Sequence, residues 1–416
     1  MSNQATVPSP SQATSPMTRR RFLAGAGATA ISLSVLDSAV VGRAAANEKI
    51  SLGLIGCGGR GKWITDLFQK HGGYQVVGVF DYFADRANEA GEKFQVPEAQ
   101  RYSGLSGYKR LLEQKALDAV AIESPPYFHP EQAAAAVEAG KHVYLAKPIA
   151  VDVPGCQSIG ESGRRATAQK RCFLVDFQTR AHPAYQEAVR RVHQGDIGRL
   201  VSGEATYFCS LMFQHMDKEY RKNAGHPEAR LRAWAVDRVL SGDVITEQNI
   251  HALDVASWIL NAEPLRAYGA GGRAREFTGT CWDHFAVIFY YPNDILLSFS
   301  SKQVGAGWDD ICCRVYGTAG TIDTHYFGEV SVIGDEPFKG GRMVNLYTDG
   351  AVNNIATFHK SIMTGDFTNP TVAPSVRSNL TTILGRMAAY QRKEVTWQEM
   401  LRANEQFEFD TRGLKA

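Results

Sequence analysis

Six residues near position 60 and one acid beyond them carry the first chemical signal in the chain. Gly56-Cys57-Gly58-Gly59-Arg60-Gly61 is a G-x-G-x-x-G run, and Asp81 stands about 20 residues further on. Such glycines serve a tight turn at Gly56, close approach of a phosphate to backbone at Gly58, and close helix–strand packing at Gly61. The free N–H groups opening the next helix then face a pyrophosphate. A carboxylate at Asp81 suits two ribose hydroxyls and repels a 2′-phosphate, so the pattern predicts NAD rather than NADP. A second group, Glu247, His251, Asp254 and Trp258, shares one face if a single helix runs from 244 to 260. That spacing fits a surface Glu–His pair as well as a proton-transfer pair. A histidine of ordinary pKa, about 6.5, shuttles protons near neutrality.

The elements around these residues alternate. Strands are expected at 50–55, 74–80, 118–122 and 142–145, with helices at 62–71, 84–94, 105–114 and 130–140. Alternation of this kind makes a doubly wound parallel sheet. Ligands bind beyond the carboxyl ends of such strands, where Asp81, Ser124 and Lys147 fall. From about Phe177 the pattern changes. Strands at 200–208, 284–291, 295–301, 311–316 and 321–324 accompany helices at 185–194, 244–260 and 374–390. This second part reads as an α+β domain with a large, mostly antiparallel open sheet.

Composition bounds the function. The 416 residues are 44% hydrophobic and 21% charged, with a formal net charge of +2. That is a globular composition, too balanced for an electrostatic nucleic-acid binder. Residues 1–46 run from Thr18-Arg19-Arg20-Arg21-Phe22-Leu23 through a weakly apolar Ala/Gly stretch to Ala44-Ala45-Ala46. Basic, apolar, small is the order of an export signal. The arginine pattern resembles a twin-arginine signal, which implies export of a folded protein to the periplasm or beyond. Asp37 interrupts the apolar run and argues against a stable membrane anchor. The seven cysteines have no framework spacing. Cys281-x-x-His284 and Cys312-Cys313 lack a matching second ligand pair, so buried thiols are expected and no metal is assigned.

The chain resembles the glucose–fructose oxidoreductase, inositol dehydrogenase and rhizopine-catabolism family, Gfo/Idh/MocA. The likeness rests on the glycine loop, Ser124-Pro125-Pro126-x-x-His129, Gly140-Lys141-His142-Val143 before Lys147-Pro148, Phe177-Gln178-Thr179-Arg180 and Gly195-Asp196-Ile197-Gly198. It spans residues 48–400, and it departs from the family at Ala146, where Glu-Lys-Pro is usual. With residues 1–46 read as the signal, the resemblance implies an NAD-binding Rossmann domain at 47–175 and a substrate and oligomerisation domain at 176–416. It implies Gly56, Gly58, Gly59, Arg60, Gly61, Asp81, Ser124, Pro125, His129, Lys147, Pro148 and Gln178 around the cofactor. His129 is expected to shape the nicotinamide end. Lys147, His251 and Glu247 become the catalytic candidates, and Arg180, Tyr207, Gln248 and Asn249 the sugar-binding ones. Glu247 stands where Asp is commoner, which leaves it between acid/base work and hydroxyl binding. Two copies or four are expected to associate through the open sheet.

Three functions remain open on this reading. The first is an exported NAD-dependent oxidoreductase of a sugar, glycoside or polyol, keeping and recycling its cofactor. The second is a redox-neutral glycosidase that oxidises C3, eliminates the aglycone, adds water and reduces again. Lys147-Pro148 favours the first. The third, a binding protein without catalysis, is opposed by the glycine loop, Asp81, Lys147 and His251 together.

Overall fold

Apolar runs of four to seven residues, largely buried on both faces, and one two-residue edge strand build the first sheet of this computed structural model, which describes residues 49–416 except 211, 224 and 276–278. Its strands are β1 (Ile50–Ile55), β2 (Tyr74–Phe80), β3 (Arg101–Tyr102), β4 (Ala119–Ile122), β5 (His142–Ala146) and β6 (Phe173–Asp176). They lie in the order β3-β2-β1-β4-β5-β6, all parallel. Every residue of β4 and β6 is buried, as expected for a sheet with helices on both sides. The order reverses between β1 and β4, which opens a crevice at their carboxyl ends.

The second sheet holds β7 (Leu200–Cys209), β8 (Arg266–Gly272), β9 (His284–Tyr290), β10 (Leu296–Gln303), β11 (Asp310–Gly317), β12 (Gly320–His325), β13 (Glu329–Gly334), β14 (Phe338–Arg342) and β15 (Val395–Thr396). Their order is β14-β13-β12-β11-β7-β10-β9-β8-β15. Every pairing is antiparallel except β7 with β10. Alternation sends Ala205 and Tyr207 inward and leaves Glu204 and Thr206 half-exposed. The helices Pro183–Gln194, Ile250–Leu260 and Val372–Gln391 cover the inner face. Tyr268, Ile288 and Leu296 remain exposed on the other. Among the described residues no helix is long and apolar enough to cross a membrane.

The α/β class and the kind of each sheet match the expectation, and the nine expected strands form with ends shifted by a residue or two; β3, β6, β8, β13, β14 and β15 are not among those expected. One finding corrects the expectation and one adds to it. The expected helix 244–260 is two helices, Val244–Glu247 and Ile250–Leu260. At the break Asn249 N–H bonds Val244 O at 2.9 Å, and the Gln248 amide is drawn out to Gln303. The second finding concerns the chain after 340. Helix Leu346–Thr364 turns back onto helix Gly59–His71, and Ala351, Ile355 and Phe358 enter the core of Leu52, Leu54, Ile64 and Phe68. The tail follows: Phe407 N–H bonds Asp152 at 2.9 Å, and Phe409 N–H bonds Tyr127 at 3.2 Å. Residues 49–416 therefore pack as one unit.

Candidate active site

The glycine loop is forced by sterics. Gly56 has φ +96°, and a Cβ there would meet the backbone of Glu123 and Ser124 at 2.5–2.7 Å. At Gly61 a Cβ would lie 1.9 Å from Gly56 O. At Gly58 and Gly59 it would meet nothing within 4 Å, so these two face open space. Helix Gly59–His71 starts there with no side-chain cap and no acid in its first turn. Its free N–H groups open onto a cleft with about 620 Å³ of empty space, lined by Gly56, Gly58, Asp81, Ser124, Phe128 and Trp234 among others. Asp81 is buried at its edge, where Oδ2 accepts Cys57 N–H at 2.8 Å and Oδ1 accepts Phe83 N–H at 2.9 Å. Burial pushes its carboxyl above the usual range, opposed by those bonds and by Arg86. A dinucleotide fits this donor set: the backbone at Gly58 and Gly59 would hold its phosphates, and Asp81 its ribose hydroxyls.

Ser124 and His129 shape the next stretch of the cleft. His129 spans Ser124 O (2.7 Å) and Pro148 O (2.8 Å), and burial pulls its pKa down to about 4. It ties the β4 turn to the cis Lys147-Pro148 peptide. Gln178 is fully buried, donating to Asp176 at 2.7 Å, while its Oε1 has no protein partner.

Beyond this stretch the catalytic candidates converge. Lys147 Nζ donates to Glu247 O at 2.7 Å and lies 3.5 Å from Glu247 Oε1. An ammonium has three N–H groups, so one remains for a ligand oxygen. Burial lowers the Lys147 pKa, and the Glu247 carboxylate opposes that shift. His251 is buried, and its Nδ1 has no protein partner. Burial, then the charges of Lys147 and Arg60, pull it well below 6.5 and keep the imidazole neutral. Its ring meets Tyr326 edge-on at 5.2 Å. The Tyr326 hydroxyl is also buried without a partner, near Tyr207 and Tyr347. Both amide atoms of buried Asn249 are unpartnered, whereas Gln248 Oε1 accepts from Gln303. Buried polar atoms are normally satisfied, so this concentration of orphans marks a place where a polar ligand sits.

Arg60 and Arg180 behave differently from the sequence reading. Arg60 is engaged by three neighbouring side chains. Its Nε lies 2.8 Å from Glu123 Oε2, its Nη2 bonds Asp176 at 2.5 Å, and its Nη1 bonds the Tyr347 hydroxyl. Arg180 is gripped by fully buried Asp254, with contacts at 2.8–3.0 Å, and stacks over Trp258. Its guanidinium is occupied in packing the helices instead of offered to a sugar. The cysteines are free, and burial raises the thiols of Cys57, Cys281 and Cys313. Cys312 and Cys313 point to opposite faces of β11 and do not converge. Asp310, Cys312 and His325 do come close enough to hold an ion. His325, however, sits between Asp310 and Asp323, whose bonds raise its pKa to about 9 and keep it a cation. Sequence reasoning missed Glu123, Asp176, Tyr326 and Tyr347. Glu123 directly follows the expected strand 118–122, Asp176 ends a strand the sequence reading did not name, and nothing local distinguishes the two tyrosines.

Residues 50–177 match the oxidoreductase family with an NAD-binding Rossmann fold, and residues 185–323 match the GFO/IDH/MocA C-terminal domain. Inositol 2-dehydrogenase 2 of Saccharopolyspora erythraea is 30% identical over 283 residues, covering 66% of this chain and 73% of that protein. An alpha-N-acetylgalactosaminidase of Shewanella oneidensis is 29% identical over 218 residues, 47% of each chain, so the match spans about half of that relative. Among solved structures, the aldose-aldose oxidoreductase of Caulobacter crescentus, complexed with glycerol, superposes with a TM-score of 0.67 at 19% identity, covering 84% of this chain and all of that one. A levoglucosan dehydrogenase complexed with NADH and levoglucosan gives 0.67 at 19%, covering 84% and 99%.

Proposed function

The chain belongs to the Gfo/Idh/MocA oxidoreductase family, and from that premise we propose that it oxidises a CH–OH group of a sugar, glycoside or polyol with NAD. The observation that carries this reading is the convergence of Lys147, Glu247 and His251, with unpartnered atoms at His251 and Tyr326, beyond the glycine-loop cleft. The nicotinamide supplies a hydride acceptor. Neutral His251 takes the hydroxyl proton as the alcohol carbon loses hydride and becomes a carbonyl. Lys147 keeps one N–H for the same oxygen and stabilises negative charge there. Glu247 aligns that ammonium through two contacts. Asn249 and Tyr207 bind further hydroxyls, a role that Arg180, held by Asp254, does not fill.

Asp81 favours NAD over NADP in this reading. Residues 1–46, outside the described residues, carry a twin-arginine signal, so the chain folds around its cofactor before export and retains it. Replacing Arg19 and Arg20 by lysine should then hold the protein in the cytoplasm. Two copies pair through the open face bearing Tyr268, Ile288 and Leu296; Leu296→Glu should lower the sedimenting mass.

The likeness to the Shewanella glycosidase favours one alternative, the redox-neutral cleavage of glycosides. A panel of glycosides and polyols, followed for aglycone release and for the reduced-nicotinamide absorbance band, tests both. Carbonyl product without aglycone release supports the oxidoreductase. Aglycone release with no net change in nicotinamide supports the glycosidase. Neither signal on any substrate would reject both.

A further inference from the structure

We propose that Glu123 is a further positioning residue of this site: β4 delivers its carboxylate beside Ala146, where it holds Arg60 and, through Arg60, sets the charge state of Lys147. The inference rests on the oxidoreductase reading for the task of Lys147, though not for the placement of Glu123.

The register makes the placement. Ile122 of β4 pairs with Leu145 of β5, so the next rung sets Glu123 beside Ala146. On the other side, Ala146 pairs with Asp176 of β6. Register partners on parallel strands point to one face. Glu123, Ala146 and Asp176 therefore form a row, with a methyl group between two carboxylates. The Arg60 guanidinium reaches both, at 2.8 Å and 2.5 Å. A glutamate at position 146, usual in the family, would crowd that row. Here the acid comes from the neighbouring strand.

Simple ion pairing leaves part of this unexplained. Two wholly buried carboxylates share one guanidinium, and neither Glu123 oxygen has a hydrogen-bond partner, Oε2 meeting Arg60 as an ion pair alone. The charged and titratable groups facing Glu123 are Arg60 of helix Gly59–His71, Asp176 of β6, Lys147 after β5, Tyr144 within β5 and Tyr347 of helix Leu346–Thr364. Burial first, and Asp176 against the pull of Arg60, raise the Glu123 pKa to about 7. Among the charges acting on Arg60, Glu123 weighs most. Arg60 in turn disfavours the charged forms of Lys147 and His251. Glu123 thus screens a cation that bears on both proposed catalytic groups.

Glu123→Gln removes that screen, so the Lys147 ammonium is disfavoured further. The limb of the kcat/KM pH profile that Lys147 carries should move to lower pH by about one unit. A second readout needs neither substrate nor cofactor. Between the unfolded pKa near 4.5 and the folded value of about 7, only the folded chain holds the Glu123 proton. Wild-type thermal stability should therefore fall across that window as pH rises, and Glu123→Gln should flatten the fall. Moving the carboxylate one strand across, in E123A/A146E, should restore the wild-type limb. An unmoved limb together with an unchanged stability profile in Glu123→Gln would overturn the proposal. Should that variant fail to fold, the relocated carboxylate decides: a wild-type limb supports the proposal, and a limb still shifted rejects it. If the wild type itself turns over nothing, the oxidoreductase reading fails, while the stability profile still judges the buried Glu123 proton.

Discussion

The two ends of the cleft are built in opposite ways. At the phosphate end the chemistry belongs to backbone: Gly56 and Gly61 fix a turn, Gly58 and Gly59 leave space, and Asp81 is already satisfied by two N–H groups. At the catalytic end it belongs to side chains from separate elements, and many of their polar atoms have no partner within the protein. The first end is a finished receptor that costs little to keep. The second is held open at a cost, because each buried unsatisfied group sacrifices about 1–3 kcal/mol. A region of that kind persists where a ligand repays it.

The comparison breaks most sharply at Gly61. A methyl group there meets Gly56 O at 1.9 Å, so Gly61→Ala must push the loop away from its helix. NAD binding, followed by calorimetry, should be lost, with stability lowered by about 3 kcal/mol. Retained binding would mean that the loop is not the rigid receptor described.

The catalytic end should respond in rate rather than in binding. Lys147→Ala and His251→Ala should each lower turnover by at least about 10², and NAD affinity should largely survive in His251→Ala. Near-normal turnover in both would remove them from the chemistry. Because burial and neighbouring cations hold His251 well below 6.5, it stays neutral on mild acidification. The acid limb it carries should accordingly lie below pH 6.5. A limb at or above that value, abolished in His251→Ala, would contradict the neutral base.

The same contrast explains what the sequence reveals. The phosphate end is local: strand, glycines, helix and acid follow one another within about 30 residues, as in one βαβ unit. The catalytic end joins Lys147 to Glu247 and Arg60 to Tyr347 across separations that no periodicity encodes. Glu247 and His251 are legible as a pair, but through a helix that the structure breaks at Gln248 and Asn249. Arg180 misleads for a related reason. Its partner Asp254 lies on the same stretch as the proton-transfer pair, and only packing separates the two roles.

Arg180 sharpens the line between site and scaffold. Asp254→Ala strands its guanidinium in a largely buried position, a loss of about 3 kcal/mol in chemical denaturation. KM should stay near the wild-type value while the protein remains folded. A raised KM at unchanged stability would return Arg180 to the substrate.

Asp81 tests the receptor end with the smallest effect. Its carboxylate already accepts two backbone N–H groups and has lone pairs left for ribose hydroxyls. Asp81→Ala removes both the ribose acceptor and the charge that repels a 2′-phosphate. NAD affinity should fall by about tenfold, the scale of one net charge-assisted hydrogen bond, while NADP affinity holds or rises, so the gap between them narrows. The sign with pH follows from burial, which raises this carboxyl above the ordinary aspartate value. As pH falls, Asp81 takes up its proton earlier than an exposed aspartate would, and discrimination against NADP should weaken with it. In Asp81→Asn the preference should be small and independent of pH. Titrations of both nucleotides at several pH values measure this directly. A wild type that prefers NADP, or a preference unmoved in Asp81→Ala, would mean that the ribose is read elsewhere, with Arg86 the next group on that wall of the cleft.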